Sequence, residues 1–121
     1  MTNWYAVAVG FAVMTVIGVV GLAIPGLGQL TAGLVGGFVG GYMAAGSAGR
    51  GAWHGLLAGS VGGIFLAVIL GVAVGALGTV GLGPLGPLLG GSIFTVGVVL
   101  ALVMGLESAL AGAVGAWIAE E

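Results

Sequence analysis

One carboxyl group lies deep inside an apolar segment of this chain. Glu107 belongs to the run from Ser92 to Ile118, which has no other charged residue. A carboxyl group in hydrocarbon costs several kcal/mol (~3 or more) unless it is paired, protonated or hydrated. One interpretation is a proton or cation site. The other is a structural glutamate hydrogen-bonded to Ser60, Ser108 or a backbone carbonyl. No motif of a known transporter family surrounds Glu107, and this absence favours the second interpretation.

The single histidine is the other residue that could move protons. His54 follows Trp53 and lies four residues after Arg50, the only basic side chain. Histidine changes its charge near neutral pH, so a proton shuttle is one possibility. A residue beside a tryptophan and an arginine is also typical of a membrane boundary, and we expect His54 to lie among lipid headgroups. One histidine and no cysteine cannot form a zinc site, so we predict no metal and no cofactor.

Catalytic constellations are missing from the sequence. There is no aspartate, no cysteine and no Gly-x-Ser-x-Gly segment, so neither a Ser-His-Asp triad nor a cysteine nucleophile can be assembled. The net charge is −2 and basic residues are not clustered, which excludes the usual electrostatics of nucleic-acid binding. We therefore predict that the protein is not an enzyme, binds no nucleic acid and has no small-molecule substrate that the sequence reveals.

The composition predicts the lipid bilayer as the environment. Hydrophobic residues make up 60% of the 121 residues and charged residues 3%, whereas soluble domains carry roughly 25% charged residues. Apolar runs longer than about 18 residues favour spanning helices. Turn signals at Pro25-Gly26 and Gly46 to Gly51 separate them. We predict an all-α membrane protein, a single domain over 1–121, with four transmembrane helices near 4–24, 29–45, 53–77 and 92–118.

The segment between the last two helices is rich in glycine and proline. Residues 78–91 contain Pro84 and Pro87 together with six glycines. Both residue types interrupt helices, so the sequence predicts a loop here. Because its side chains are apolar, the loop is expected to lie at the membrane interface or to fold back against the bundle as a re-entrant segment.

Glycines recur at four-residue spacing on helices two and three. In lipid, such small-residue stripes let helix axes approach closely, because apolar side chains gain nothing by leaving the lipid. We predict that these two helices pack on each other in a tightly packed, glycine-rich bundle, with Gly37 and Gly59 at the closest contact. The helix-packing residues are Gly33, Gly37, Gly41, Gly55, Gly59 and Gly63.

The same two helices resemble a known group of proteins. The segments Gly36-Gly37-Phe38-Val39-Gly40-Gly41-Tyr42 and Gly51-Ala52-Trp53-His54-Gly55-Leu56-Leu57-Ala58-Gly59, joined by a turn with one basic residue, are similar to small, uncharacterised four-helix membrane proteins of haloarchaea. The resemblance covers about a third of the chain. It implies a protein of the cell membrane of a halophilic archaeon, without an established activity.

Helix four has a second small-residue stripe. Gly97, Ala101, Gly105, Ser108, Gly112 and Ala116 share one face, and Glu107 points about 120° away from it at 100° per residue. We expect the stripe to pack within the chain and Glu107 to face a second protomer or a wet cavity. The predicted function is thus a structural or interaction-type bundle that forms a homo-oligomer. The alternative is a small proton or cation channel, or a transporter that uses Glu107.

The orientation follows from the distribution of polar residues. The positive-inside rule places the connection that contains Arg50 in the cytoplasm, and with four crossings both termini lie there too. Five residues are predicted to mark this membrane boundary. They are Trp4, Arg50, Trp53, His54 and Trp117.

Overall fold

The computed structural model describes residues 1–121 and is entirely helical. Its four helices are α1 (Trp4–Gly21), α2 (Leu27–Ala44), α3 (Ala48–Leu82) and α4 (Leu85–Glu120). Asn3 is the N-cap of α1, because its side-chain oxygen accepts a hydrogen bond from the Ala6 N–H. The all-α class and the number of helices agree with the sequence prediction.

The predicted loop over 78–91 is wrong. α3 continues to Leu82 and α4 begins at Leu85, so only Gly83 and Pro84 connect them. Gly83 has a φ of +60°, a left-handed conformation that glycine adopts without strain. Pro87 lies in the first turn of α4, where the missing N–H has no intrahelical partner to lose. Helical hydrogen bonding satisfies the backbone of this apolar segment, which a loop in lipid would leave unpaired.

The chain divides into two compact units. The first comprises Met1–Ser60 with Val103–Glu121, and the second comprises Val61–Leu102. The second unit is an antiparallel helical hairpin in which glycines meet backbone or small side chains. A Cβ at Gly63 would lie 2.6 Å from the Ala101 Cβ, and one at Gly78 would lie 3.0 Å from the Gly86 Cα. The small residues therefore allow close approach along the hairpin.

In the first unit, α2 is covered on two faces. Its Gly36 and Gly40 lie against α1, where a Cβ at Gly36 would meet the Met14 Cβ at 2.6 Å. The Gln29 side chain also donates to the Gly18 carbonyl of α1 at 3.2 Å. A different face of α2, which includes Gly41, lies against α4 at Gly112. Eight of the 18 residues of α2 are buried, against four of the 18 residues of α1.

Three helices, α1, α3 and α4, are long and apolar enough to cross a membrane. The fourth, α2, has 18 residues but falls below this criterion, since it contains six glycines together with Gln29, Thr31 and Tyr42. The small residues of α2 fit its position between other helices, because they allow α1 and α4 to approach its backbone closely.

Helices that follow one another in the chain run antiparallel in the first unit, so α2 and α4 are parallel where they pack together, and both ends of the chain lie near the start of α3. The Asn3 N–H donates to His54, and Ala116 of α4 contacts Gly51. Arg50 belongs to the same turn of α3 and is exposed. The predicted placement of both termini beside Arg50 therefore agrees with the geometry of this unit.

Candidate functional site around Glu107 and Ser108

Ser108 lies where α2 and α3 both reach α4. Its side chain is fully buried, at 0% exposure. A Cβ at Gly59 of α3 would lie 2.7 Å from the Ser108 Cβ and 3.0 Å from its Oγ, and one at Gly37 of α2 would lie 2.8 Å from the Ser108 carbonyl carbon. The absence of side chains at Gly37 and Gly59 is what lets both helices approach this residue.

The hydroxyl of Ser108 has no hydrogen-bond partner. Five other hydroxyls in the helices donate to the carbonyl four residues earlier, at 2.6 to 2.9 Å. These hydroxyls belong to Thr15, Thr31, Thr79, Ser92 and Thr95. A buried polar group without a partner costs roughly 1–3 kcal/mol, so Ser108 is an exception that calls for an explanation.

The carboxyl group of Glu107 is covered by the same chain. Its Oε1 atom is buried without a hydrogen-bond partner and lies against Gly33 of α2, while the rest of the side chain is partly exposed. The sequence led us to expect a second protomer or a wet cavity opposite this group. Neither is needed to cover it, because α2 of the same chain does so. α4 instead has two neighbours, and α2 covers Glu107 while α3 packs on the small-residue stripe.

Two unpartnered oxygens thus come from consecutive residues of one helix. Oε1 of Glu107 faces Gly33, and Oγ of Ser108 faces Gly37, one helical turn further along α2. A carboxyl group in this position can take up a proton and then act as a donor or an acceptor. A metal cation would require more ligands, and the chain has no group of three or more His, Cys, Asp or Glu side chains that could hold one. The arrangement suits a proton.

The predicted partners of the two glycine stripes were wrong. Gly37 and Gly41 of α2 meet Ser108 and Gly112, and Gly55 and Gly59 of α3 have their nearest contacts at Ser108 as well, so both stripes pack on α4 rather than on each other. Between α2 and α3 the contact is looser, since a Cβ at Gly40 would lie 3.8 Å from the Ala58 Cβ. Gly63 packs on Ala101 in the hairpin of the second unit. The four-residue spacing of the glycines did not show which helix lies opposite.

His54 lies in a different environment from the one predicted. Its ring is fully buried, so the expected position among headgroups is wrong. Nε2 accepts a hydrogen bond from the Asn3 N–H at 2.7 Å, and Nδ1 lies 2.7 Å from the Arg50 carbonyl oxygen. The other residues that were predicted to lie at the boundary are exposed. These are Trp4, Arg50, Trp53 and Trp117.

Sequence reasoning overlooked the role of Asn3. An Asn directly before the first apolar run is a helix N-cap signal, and this signal would have identified it. The link between Asn3 and His54 spans 51 residues and has no local signature. The Trp53 indole N–H makes a parallel long-range bond to the Thr2 hydroxyl at 3.0 Å.

The fold and this site define an all-helical protein with helices suited to a membrane. The chain belongs to the family of unknown function DUF5518, whose family model matches residues 4–118. No curated protein and no solved structure matches the chain.

Two adjacent turns of α2 provide a matched test of the site. Gly33→Ala meets only the end of the flexible Glu107 side chain, which can swing aside, whereas Gly37→Ala meets the Ser108 backbone. We expect Gly37→Ala to lower the free energy of unfolding by about 1–3 kcal/mol, the usual cost of overpacking, and Gly33→Ala to lower it by less. Reversible unfolding in mixed detergent micelles measures both. Equal effects would contradict the geometry at Ser108.

Proposed function

We propose that this chain is a non-enzymatic, multi-pass protein of the cell membrane that acts as a structural or interaction-type bundle and self-associates through small-residue helix faces. The proposal includes four crossings, with α2 as the enclosed one, and both termini in the cytoplasm beside Arg50. Exposed large apolar side chains on all four helices support the membrane location, and α3 and α4 carry most of them. The complete absence of lysine and the two glutamates at the C-terminus support a halophilic archaeal source.

The proposal of self-association rests on one outward-facing surface of α4. Gly91 of α4 is exposed, with no atom within 4 Å of the position of a Cβ, and Thr95 lies one turn further along the same face. Pro87, Leu88, Ser92 and Val96 complete a shallow groove of about 510 Å³. The Ser92 and Thr95 hydroxyls already donate to carbonyls of α4, at 2.8 and 2.9 Å. The hydroxyl protons in the groove are therefore already used in hydrogen bonds within α4.

This groove has the features of a helix contact in lipid. The glycines that were predicted to pack helices are already covered within the chain, with Gly37, Gly55 and Gly59 all against Ser108. Gly91 is not covered, although it has the same small size. Small residues on a lipid-facing helix favour association because two backbones can approach closely there. The groove on α4 is the small-residue face that supports a homo-oligomer as the assembled state.

The subunit count tests this proposal. Native mass spectrometry in a mild detergent is expected to show at least two copies of the wild-type chain. Gly91→Leu should give monomers, because a large side chain there prevents backbone approach. Gly81→Leu is the matched control, since Gly81 is also exposed with no atom within 4 Å and lies outside the groove. A wild-type chain that is monomeric both in detergent and in bilayer cross-linking would refute self-association.

A second candidate function, proton or cation transport through Glu107, is favoured by one observation. Oε1 of Glu107 and Oγ of Ser108 are both buried without partners, and a carboxyl group enclosed in this way is a place where a proton can bind and leave. The structural role is preferred because Gly33 closes against this oxygen and α2 covers it.

Flux measurements distinguish the two functions. We expect liposomes that contain the wild-type chain to leak protons no faster than empty liposomes under an imposed membrane potential. Glu107→Gln should keep the wild-type subunit count, since an amide and a protonated acid offer similar hydrogen bonds. A wild-type proton or cation flux that Glu107→Gln abolishes, with the oligomer intact, would replace the structural proposal by the transport one.

A further inference from the structure

The hydrogen bonds of His54 determine which ring nitrogen carries the proton. The Arg50 carbonyl oxygen can only accept, so Nδ1, at 2.7 Å from it, must carry a hydrogen and donate. The Asn3 backbone N–H can only donate, so Nε2, also at 2.7 Å, must be the acceptor. Both bonds are satisfied together only by the neutral imidazole that is protonated on Nδ1.

This ring connects the start of α1 to α3. The Asn3 N–H is bonded to His54, and the Asn3 side chain in turn caps α1 by accepting from the Ala6 N–H at 3.2 Å. One residue earlier, the Thr2 hydroxyl accepts from the Trp53 indole at 3.0 Å. The N-terminal segment is thus held by two neighbouring side chains of α3, and only the contact through His54 responds to pH.

We propose that His54 is a proton-sensitive latch that holds the N-terminal segment on α3 when it is neutral and releases it when it is protonated. A second proton on Nε2 places an N–H group against the Asn3 N–H, so the bond is lost. The ring is fully buried, and an unpaired charge in such a position is strongly unfavourable. Protonation is therefore coupled to withdrawal of the first residues of the chain from the ring.

The surrounding charges do not offer the protonated ring a partner. Its hydrogen-bond contacts are the backbone groups of Asn3 and Arg50. The titratable groups that the four helices carry at this end are all exposed. They are the Met1 amino group and Tyr5 at the start of α1, Tyr42 on α2, Arg50 on α3, and Glu120 and Glu121 at the end of α4.

The latch can be observed directly because the chain has a single histidine. In ¹⁵N-histidine-labelled protein in micelles, the spectrum at about pH 8 should show a hydrogen on Nδ1 and none on Nε2, and acidification should add a hydrogen to Nε2. Amide hydrogen exchange, corrected for the intrinsic effect of pH, should show a loss of protection at Asn3 of about tenfold over the same change in pH, as the loss of one hydrogen bond predicts. Amides of α4, such as that of Ser108, should keep their protection.

Two variants separate the latch from general acid destabilisation. His54→Gln keeps a neutral acceptor and should remove the pH dependence of Asn3 exchange. Trp53→Phe removes the bond to Thr2 and should leave that pH dependence in place. Two results would overturn the proposal even if the variants fail to fold. The first is a wild-type ring that carries its hydrogen on Nε2 at about pH 8. The second is Asn3 protection that stays the same after acidification, whether or not the ring takes up a second proton.

Discussion

The close approach of two helix backbones to α4 at Ser108 is the constraint on which the first unit depends. Gly37 from one side and Gly59 from the other leave no room for a Cβ, so α2, α3 and α4 meet through backbone and one serine. In lipid the hydrophobic effect gives little driving force for helix association, and van der Waals packing at short distance takes its place. The glycines contribute by being small, although glycine costs about 1 kcal/mol per residue in a helix in water.

This packing also determines where polar atoms lie. Because α2 comes so near to α4, Gly33 covers the carboxyl oxygen of Glu107, and the Ser108 hydroxyl is enclosed without a partner. Where the N-terminal segment meets the start of α3, the polar groups are instead paired, since His54 is bonded to both Asn3 and Arg50. The proposed role of Glu107 follows from its unpaired oxygen, and the proposed role of His54 follows from its two hydrogen bonds.

The sequence predicted the all-α class and the number of helices, because apolar runs and turn residues are local signals. It failed at residues 78–91, where glycine and proline resemble a loop but the apolar surroundings favour a continuous helical hairpin. It did not show the partner of the glycine stripes, since the spacing of residues along one helix does not tell which helix lies opposite. His54 accepts a hydrogen bond from Asn3, which is 51 residues away, and a local pattern contains no such information.

The coupling between Gly59→Ala and Ser108→Gly tests the central packing claim most directly. A methyl group at position 59 would lie 2.7 Å from the Ser108 Cβ and 3.0 Å from its Oγ, and both atoms are absent once residue 108 is glycine. Measured as a double-mutant cycle of unfolding free energies in mixed micelles, the two changes should compensate each other by about 1 kcal/mol or more. Strictly additive effects would mean that α3 does not pack on Ser108, and the account of this bundle would then be wrong.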